Sequence, residues 1–202
     1  MHRQTAHPHL LALMAFMALV ATAGAATITV DDDGPADHTN LHDAVAAASA
    51  GDVIAISDGT YPHTSTLDLD IPLTIDGESE AGVILEVATA GWGIKVDASD
   101  VTLRDFTMQI VNSGPEQGFA IHATAAVPEH ANLSVLNVTI QGNDGNSPKR
   151  RAGLDINRFD GVALTSVTST DSNWGTGVQL SGCHDVTMID VVTADNVWGG
   201  IA

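Results

Sequence analysis

Lys149, Arg150 and Arg151 stand side by side in a chain that holds only 7 basic residues among 202. They fall in the Gly/Asn/Ser/Pro-rich segment Gly142–Ala152, and Arg158 follows closely. Cations at this density form a clamp for acidic groups, because ammonium and guanidinium donors match carboxylate oxygens in charge and geometry. Asp155 lies between the cluster and Arg158, where strand alternation predicts an outward side chain. A second set is aromatic. Trp92, Trp174 and Trp198 each fall just before a recurring Gly, which predicts indole faces on one side of the molecule, suited to stacking on flat rings such as sugars. His122, His130 and His184 have acid–base chemistry near neutral pH but no partner legible in the sequence. No residue is assigned as catalytic or as a metal ligand. Asp31-Asp32-Asp33 before Gly34-Pro35 reads as an acidic turn entry, without the spaced oxygen ligands of an EF-hand.

These side chains need a scaffold, and the sequence repeats one. Gly93-Ile94-Lys95-Val96-Asp97, Gly118-Phe119-Ala120-Ile121-His122, Gly153-Leu154-Asp155-Ile156-Asn157 and Gly177-Val178-Gln179-Leu180-Ser181 are copies of one phrase, and another opens at Gly200-Ile201-Ala202. A second phrase alternates with it, beginning at Val101, Leu133, Val162 and Val186. Gly153 and Gly177 are 24 residues apart and Gly177 and Gly200 are 23 apart, whereas Gly118 and Gly153 are 35 apart because of the Gly142–Ala152 segment. Two interleaved strand phrases on one period specify a solenoid, and period-two alternation of small and β-branched apolar residues specifies strands rather than helices. Coils then stack at about 4.8 Å. The alignment stacks Asp97, His122, Asn157 and Ser181 at one level, Asp105, Asn137, Ser166 and Asp190 at another, and Asp100, Asn132, Gly161 and Asp185 at a turn. Short polar side chains at such turns bond the backbone and one another. Upstream, Thr39–Ser49 carries Leu41, Ala44, Val45 and Ala48 at helical spacing, with Thr39 as N-cap and Gly51 as the stop. This helix covers the open first coil.

The order Leu41-His42-Asp43-Ala44-Val45, Ala50-Gly51-Asp52-Val53-Ile54, Asp58-Gly59-Thr60-Tyr61 and Leu73-Thr74-Ile75-Asp76-Gly77, followed by the repeats, resembles the pectin-lyase-like superfamily. The resemblance implies an all-β, right-handed parallel β-helix solenoid with a short N-terminal capping helix. With the residues above, the expected role is contact with extracellular polysaccharide or cell-surface glycans as a surface or binding module, through Lys149, Arg150, Arg151, Arg158, Asp155, Trp92, Trp174 and Trp198. The motif set of its polygalacturonase-like members is missing. The alternative activity is that of a polysaccharide lyase or epimerase on uronate polymers, which needs a base for the proton beside the carboxylate and a cation, Ca²⁺ included, for the enolate.

Arg3, the apolar run Leu10–Val20 and the small residues Ala23-Gly24-Ala25 read as a secretory signal over residues 1–26, with cleavage before Ala26 or Thr27. The predicted domain is residues 27–202, with the cap over 27–51 and the coils over 52–202. Removing the signal takes away Arg3 and no carboxylate, so the net charge of −18 becomes −19. That field repels nucleic acid and anionic lipid, and no later segment is continuously apolar for long enough to span a membrane. The expected location is extracellular, cell-surface or periplasmic. Cys183 is alone and reads as a small buried hydrophobe. The chain stops partway through a strand phrase, so a longer β-helix with further coils is expected, together with fraying or end-to-end association of the last coil.

Overall fold

The computed structural model describes residues 24–111, 118–126, 129–142, 153–172 and 175–202. Among the described residues the strands pair in parallel, and they form two sheets that wind together as a β-helix. In chain order they are β1 (Thr27–Val30), β2 (Val53–Ile56), β3 (Gly59–His63), β4 (Leu67–Leu69), β5 (Thr74–Gly77), β6 (Val83–Val87), β7 (Ile94–Val96) and β8 (Val101–Ile110). There follow β9 (Ile121–Thr124), β10 (His130–Gln141), β11 (Leu154–Asn157), β12 (Phe159–Thr170), β13 (Thr176–Ser181), β14 (His184–Ile189), β15 (Val192–Ala194) and β16 (Gly199–Ile201). The larger sheet runs β1-β2-β5-β8-β10-β12-β14, with β3, β6 and β15 beside it. The smaller runs β16-β13-β11-β9-β7-β4, one strand per coil. This is the all-β solenoid that the repeats imply.

Its interior is a continuous apolar column. Leu103, Val135 and Leu164 stack in register, as do Ile94, Ile121, Leu154 and Val178, and all are essentially inaccessible. The intervening residues face away from it, which is why Thr165 is only partly covered next to Leu164.

The long strands bend at residues in the left-handed region. Asp100, Asn132, Gly161 and Asp185 have φ of 57°, 58°, 74° and 48°, and Asp105, Asn137, Ser166 and Asp190 have φ of 59°, 50°, 52° and 53°. Asn, Asp and Gly tolerate this conformation where most side chains do not, so these stacks are corners. Asn132 Nδ2 donates to Asp100 Oδ1 and Asn137 Nδ2 to Asp105 Oδ1, each at 2.7 Å. The two expected levels are therefore real, and their role is structural.

The third level is not as read. Lys95, His122, Asp155 and Gln179 are partners, while Thr124, Asn157 and Ser181 share the next outward level. Equating Gly118 with Gly93 displaces the alignment by two residues; the residue opposite Gly93 is Ala120, two before His122. Gly118 has a different reason for being Gly: a Cβ there would lie 2.4 Å from Trp92 Cδ1. A two-residue slip preserves alternation, so periodicity alone could not reveal it.

The capping helix α1 spans Leu41–Ala47 and packs Leu41 and Ala44 into the core. Its N-cap is Asn40 rather than Thr39, because the Asn40 side chain accepts the Asp43 backbone N–H at 2.9 Å. It also ends earlier than expected, since the Ser49 N–H is taken by the Asp52 carboxylate at 2.8 Å. α1 is docked over the first coils, where His42 Nε2 lies 3.4 Å from Nδ1 of the buried His63. Cys183 is partly buried and packs against the core, consistent with its reading as a hydrophobe. At the last coil Met188, Ile189, Val192, Val197, Trp198 and Ile201 are exposed.

Two outcomes test this architecture. Leu164→Ala should destabilise by about 2–5 kcal/mol and Thr165→Ala by about 0.5 kcal/mol or less, measured by denaturant midpoints, because only the first opens a cavity. Burial, reinforced by His42, pushes the His63 pKa down from 6.5 to about 4. The unfolded chain therefore binds this proton more readily, and the stability contributed by neutral His63 is lost as pH falls from 6.5 to about 4. His63→Phe should flatten that part of the pH–stability curve.

Candidate functional site

The outward face of the smaller sheet collects the residues with usable chemistry. Its strands are held in register by the core, so every second side chain projects away from it. Asp68, Lys95, His122, Asp155 and Gln179 form one row across five coils, each opposite the next. Neighbours along the row are one coil apart, about 4.8 Å, and rows are separated by two residues of strand, about 6.7 Å.

At the centre of the row His122 Nδ1 lies 2.8 Å from Asp155 Oδ2. The indole of Trp92 stacks on the imidazole, with centroids 4.3 Å apart and planes 14° apart. Asp155 does face away from the core, but it is covered: only 6% of the residue is exposed. The expectation of an open surface carboxylate is thus corrected. Asp155 Oδ1 is buried with no hydrogen-bond partner among the described residues. A half-satisfied buried carboxylate is costly to leave without partners, and the His122 ring nitrogen supplies it one hydrogen bond. Fixing Nδ1 on the carboxylate leaves Nε2 as the ring nitrogen available for proton transfer, and the stacked Trp92 indole helps to hold the ring plane.

The flanks are cationic and acidic together. Lys95 Nζ is 3.4 Å from Asp97 Oδ2, and His130 Nε2 is 3.0 Å from Asp97 Oδ1. The hydrogen bond from His130 holds the Asp97 carboxyl below its ordinary value, helped by Lys95. At the other end Thr124, Ala125, Asn157, Arg158, Ser181 and Gly182 line a shallow concavity. Arg158 is exposed there at a corner with φ of 60°. His184 Nε2 is 3.9 Å from Glu129 on the surface.

Of the residues proposed from sequence, the structure therefore brings Trp92, Asp155 and Arg158 to one face. Lys149, Arg150, Arg151 and Trp174 lie outside the described residues. Trp198 is 56% exposed and its backbone N–H bonds the Gly175 carbonyl. It precedes Gly199, which pairs with Thr176, so it sits one position farther from the strand than Trp92, beside Gly93. His122 and Lys95 were missed as site members. Their signal was present, since both are outward-phase residues in the recurring phrase, but the displaced alignment put His122 in the wrong row.

Among the described residues, the acidic or imidazole side chains close enough together to hold a metal are Asp31, Asp32 and Asp33. Asp31 Oδ1 accepts the Asp33 and Gly34 N–H groups, and Asp32 Oδ2 accepts the Thr60 N–H. The Asp31 oxygen thus serves its own turn, and the Asp32 oxygen reaches the backbone of β3.

No protein-family model matches the chain, and a search of curated proteins returns no match. Solved structures do match. A pectin methylesterase variant in complex with a hexasaccharide superposes with a TM-score of 0.58 at 18% identity, covering 88% of this chain. A second pectin methylesterase–hexasaccharide complex gives 0.49 at 15% identity over 80% of this chain and 67% of its own. A PL6 family alginate lyase gives 0.42 at 12% identity over 97% of this chain and 41% of its own. The chain spans 57% of the length of the first of these structures. The fold is a parallel β-helix, shared with the first of these structures.

Proposed function

We propose that this chain is an exported β-helix protein that contacts extracellular polysaccharide along the outward face of its smaller sheet. The observation that carries the reading is the in-register polar row Asp68, Lys95, His122, Asp155 and Gln179. Regular rows of donors and acceptors suit an extended ligand whose own polar groups recur, and Trp92 supplies an aromatic wall. The fold is shared with a pectin methylesterase solved with a hexasaccharide, which supports a polysaccharide as the ligand class. Lys149, Arg150, Arg151 and Arg158 would favour an acidic polymer; Trp174 and Trp198 would extend the aromatic contact.

The His122–Asp155 pair favours a second reading, that of a lyase or epimerase on uronate polymers. Asp155 would hold the imidazole while Nε2 takes the proton from the carbon beside the uronate carboxylate. Arg158 and the basic cluster would stabilise the charge that develops.

Affinity measured against a panel of neutral and uronate polysaccharides separates these. Trp92→Ala should weaken binding about tenfold, in line with the loss of one aromatic contact. Replacing Lys149, Arg150 and Arg151 together with Ala should weaken binding to uronate polymers at low salt, and the difference should shrink as salt rises. No binding to any member of the panel would sink the proposal. The enzymatic reading further expects new reducing ends, unsaturated uronate absorbance or changed uronate configuration, abolished in His122→Gln. Binding without any such product would leave the module and remove the enzyme.

A further inference from the structure

At the entrance to the first coil a buried carboxylate is directed at one backbone nitrogen. Asp52 is 6% exposed, and its Oδ1 accepts the Ala26 N–H at 2.7 Å while Oδ2 accepts the Ser49 N–H at 2.8 Å. Ala26 is held from its other side as well, since the Val53 N–H donates to its carbonyl at 2.8 Å. The next residue, Thr27, begins β1, which pairs with β2. Gly24 and Ala25 are exposed.

We infer that the Ala25–Ala26 bond is the processing site and that Asp52 is a built receptor for the α-ammonium group released there. The inference rests on the export reading of residues 1–26. A signal-type endopeptidase hydrolyses the bond: the water oxygen joins the Ala25 carbonyl carbon, the C–N bond breaks, and the Ala26 nitrogen takes the proton. The resulting amine takes a second proton from solvent at neutral pH. The small residues Ala23-Gly24-Ala25 fit the peptidase, and the geometry decides between the two bonds that the sequence allows. Cleavage before Thr27 would delete Ala26, leave Asp52 Oδ1 buried without its donor and leave the Val53 N–H without its acceptor. Cleavage before Ala26 keeps every bond and turns an amide contact into an ion pair.

Asp52 is the charged side chain that faces this nitrogen; the other groups fastened around it are the backbone N–H groups of Ser49 and Val53 and the Asp52 carbonyl, which accepts the Thr74 N–H at 3.1 Å. Beside the carboxylate the α-amine should titrate above its ordinary range of about 7.7–8.0. Its stabilising contribution is then complete below that range and lost as pH rises through the raised value.

The full chain with its leader, expressed in an exporting host, supplies the test through intact mass and N-terminal sequencing of the product. The expected first residue is Ala26. The wild-type product should melt roughly 2–4 °C or more above the Asp52→Asn product at pH 7, a gap that narrows toward pH 10. A product beginning at Thr27, or retaining Gly24 or Ala25, overturns the inference while export stands. A retained leader overturns both. A gap of equal size at pH 7 and pH 10 would mean that Asp52 serves only the backbone. If the Asn variant does not fold, an ordinary α-amine pKa in the wild-type product, read by NMR, overturns the inference equally.

Discussion

Parallel stacking of one coil on the next fixes everything else in this protein. Each strand hydrogen-bonds to its counterpart one turn away, so a residue's level in the stack fixes both the face it occupies and its neighbours. That requirement reaches the corners, where the backbone must take the same left-handed step in successive coils. Asp, Asn, Ser and Gly at Asp100, Asn132, Gly161 and Asp185, and at Asp105, Asn137, Ser166 and Asp190, answer it. The Asn-to-Asp side-chain bonds along these stacks then tie adjacent coils together outside the strands. Asp100, Asp105, Asp185 and Asp190 are consequently architectural: they stand at corners because short carboxylate side chains tolerate positive φ.

The same regularity decides what a sequence reader can and cannot recover. The phrase beginning at Val101, Leu133, Val162 and Val186 was legible in full, because each copy carries its corner residues at fixed offsets and these pin the register. The Gly-led phrase lacks such a pin in its second copy. Gly118 matches Gly93 in type, yet it is small because Trp92 presses on it, and Ala120 holds the equivalent place. Displacing by two leaves every apolar residue in phase, so the core was correct while the outer row was wrong. Helix α1 shows the milder form of the problem. Its existence followed from periodicity, but its ends depend on which side chain reaches a free backbone N–H, Asn40 at one end and Asp52 at the other.

Charge arrangement on the outside of the solenoid could not be foreseen from composition. A net charge of −18 suggests a surface of unpaired carboxylates. Instead Asp97 is shared between Lys95 and His130, Asp155 is committed to His122, and Arg104 is clamped by Asp76, with Arg104 Nε 2.7 Å from Asp76 Oδ1. Lys95 and Asp97 are neighbours within one phrase, but the other pairs join residues that are distant in sequence, and only the coil register brings those together. Among the described residues, Lys95, Arg104, His122 and His130 are thus placed opposite acids.

Asp155 is where this economy breaks. Most outward side chains of the sheet are short, solvated or paired, and the ladder rules account for them. Asp155 is outward in phase yet buried, pinned to an imidazole by one oxygen and unsatisfied at the other. A purely structural row could place Asn, Thr or Ser here, as Thr124, Asn157 and Ser181 do one level away, without a buried charge. Stability therefore gives no reason for a carboxylate, whereas holding an imidazole in one orientation does. Local departures from a scaffold's own rules concentrate at functional positions, and this departure falls at the middle of the polar row, beneath Trp92. The fold accounts for the row; Asp155 departs from it as a buried carboxylate that holds the His122 imidazole.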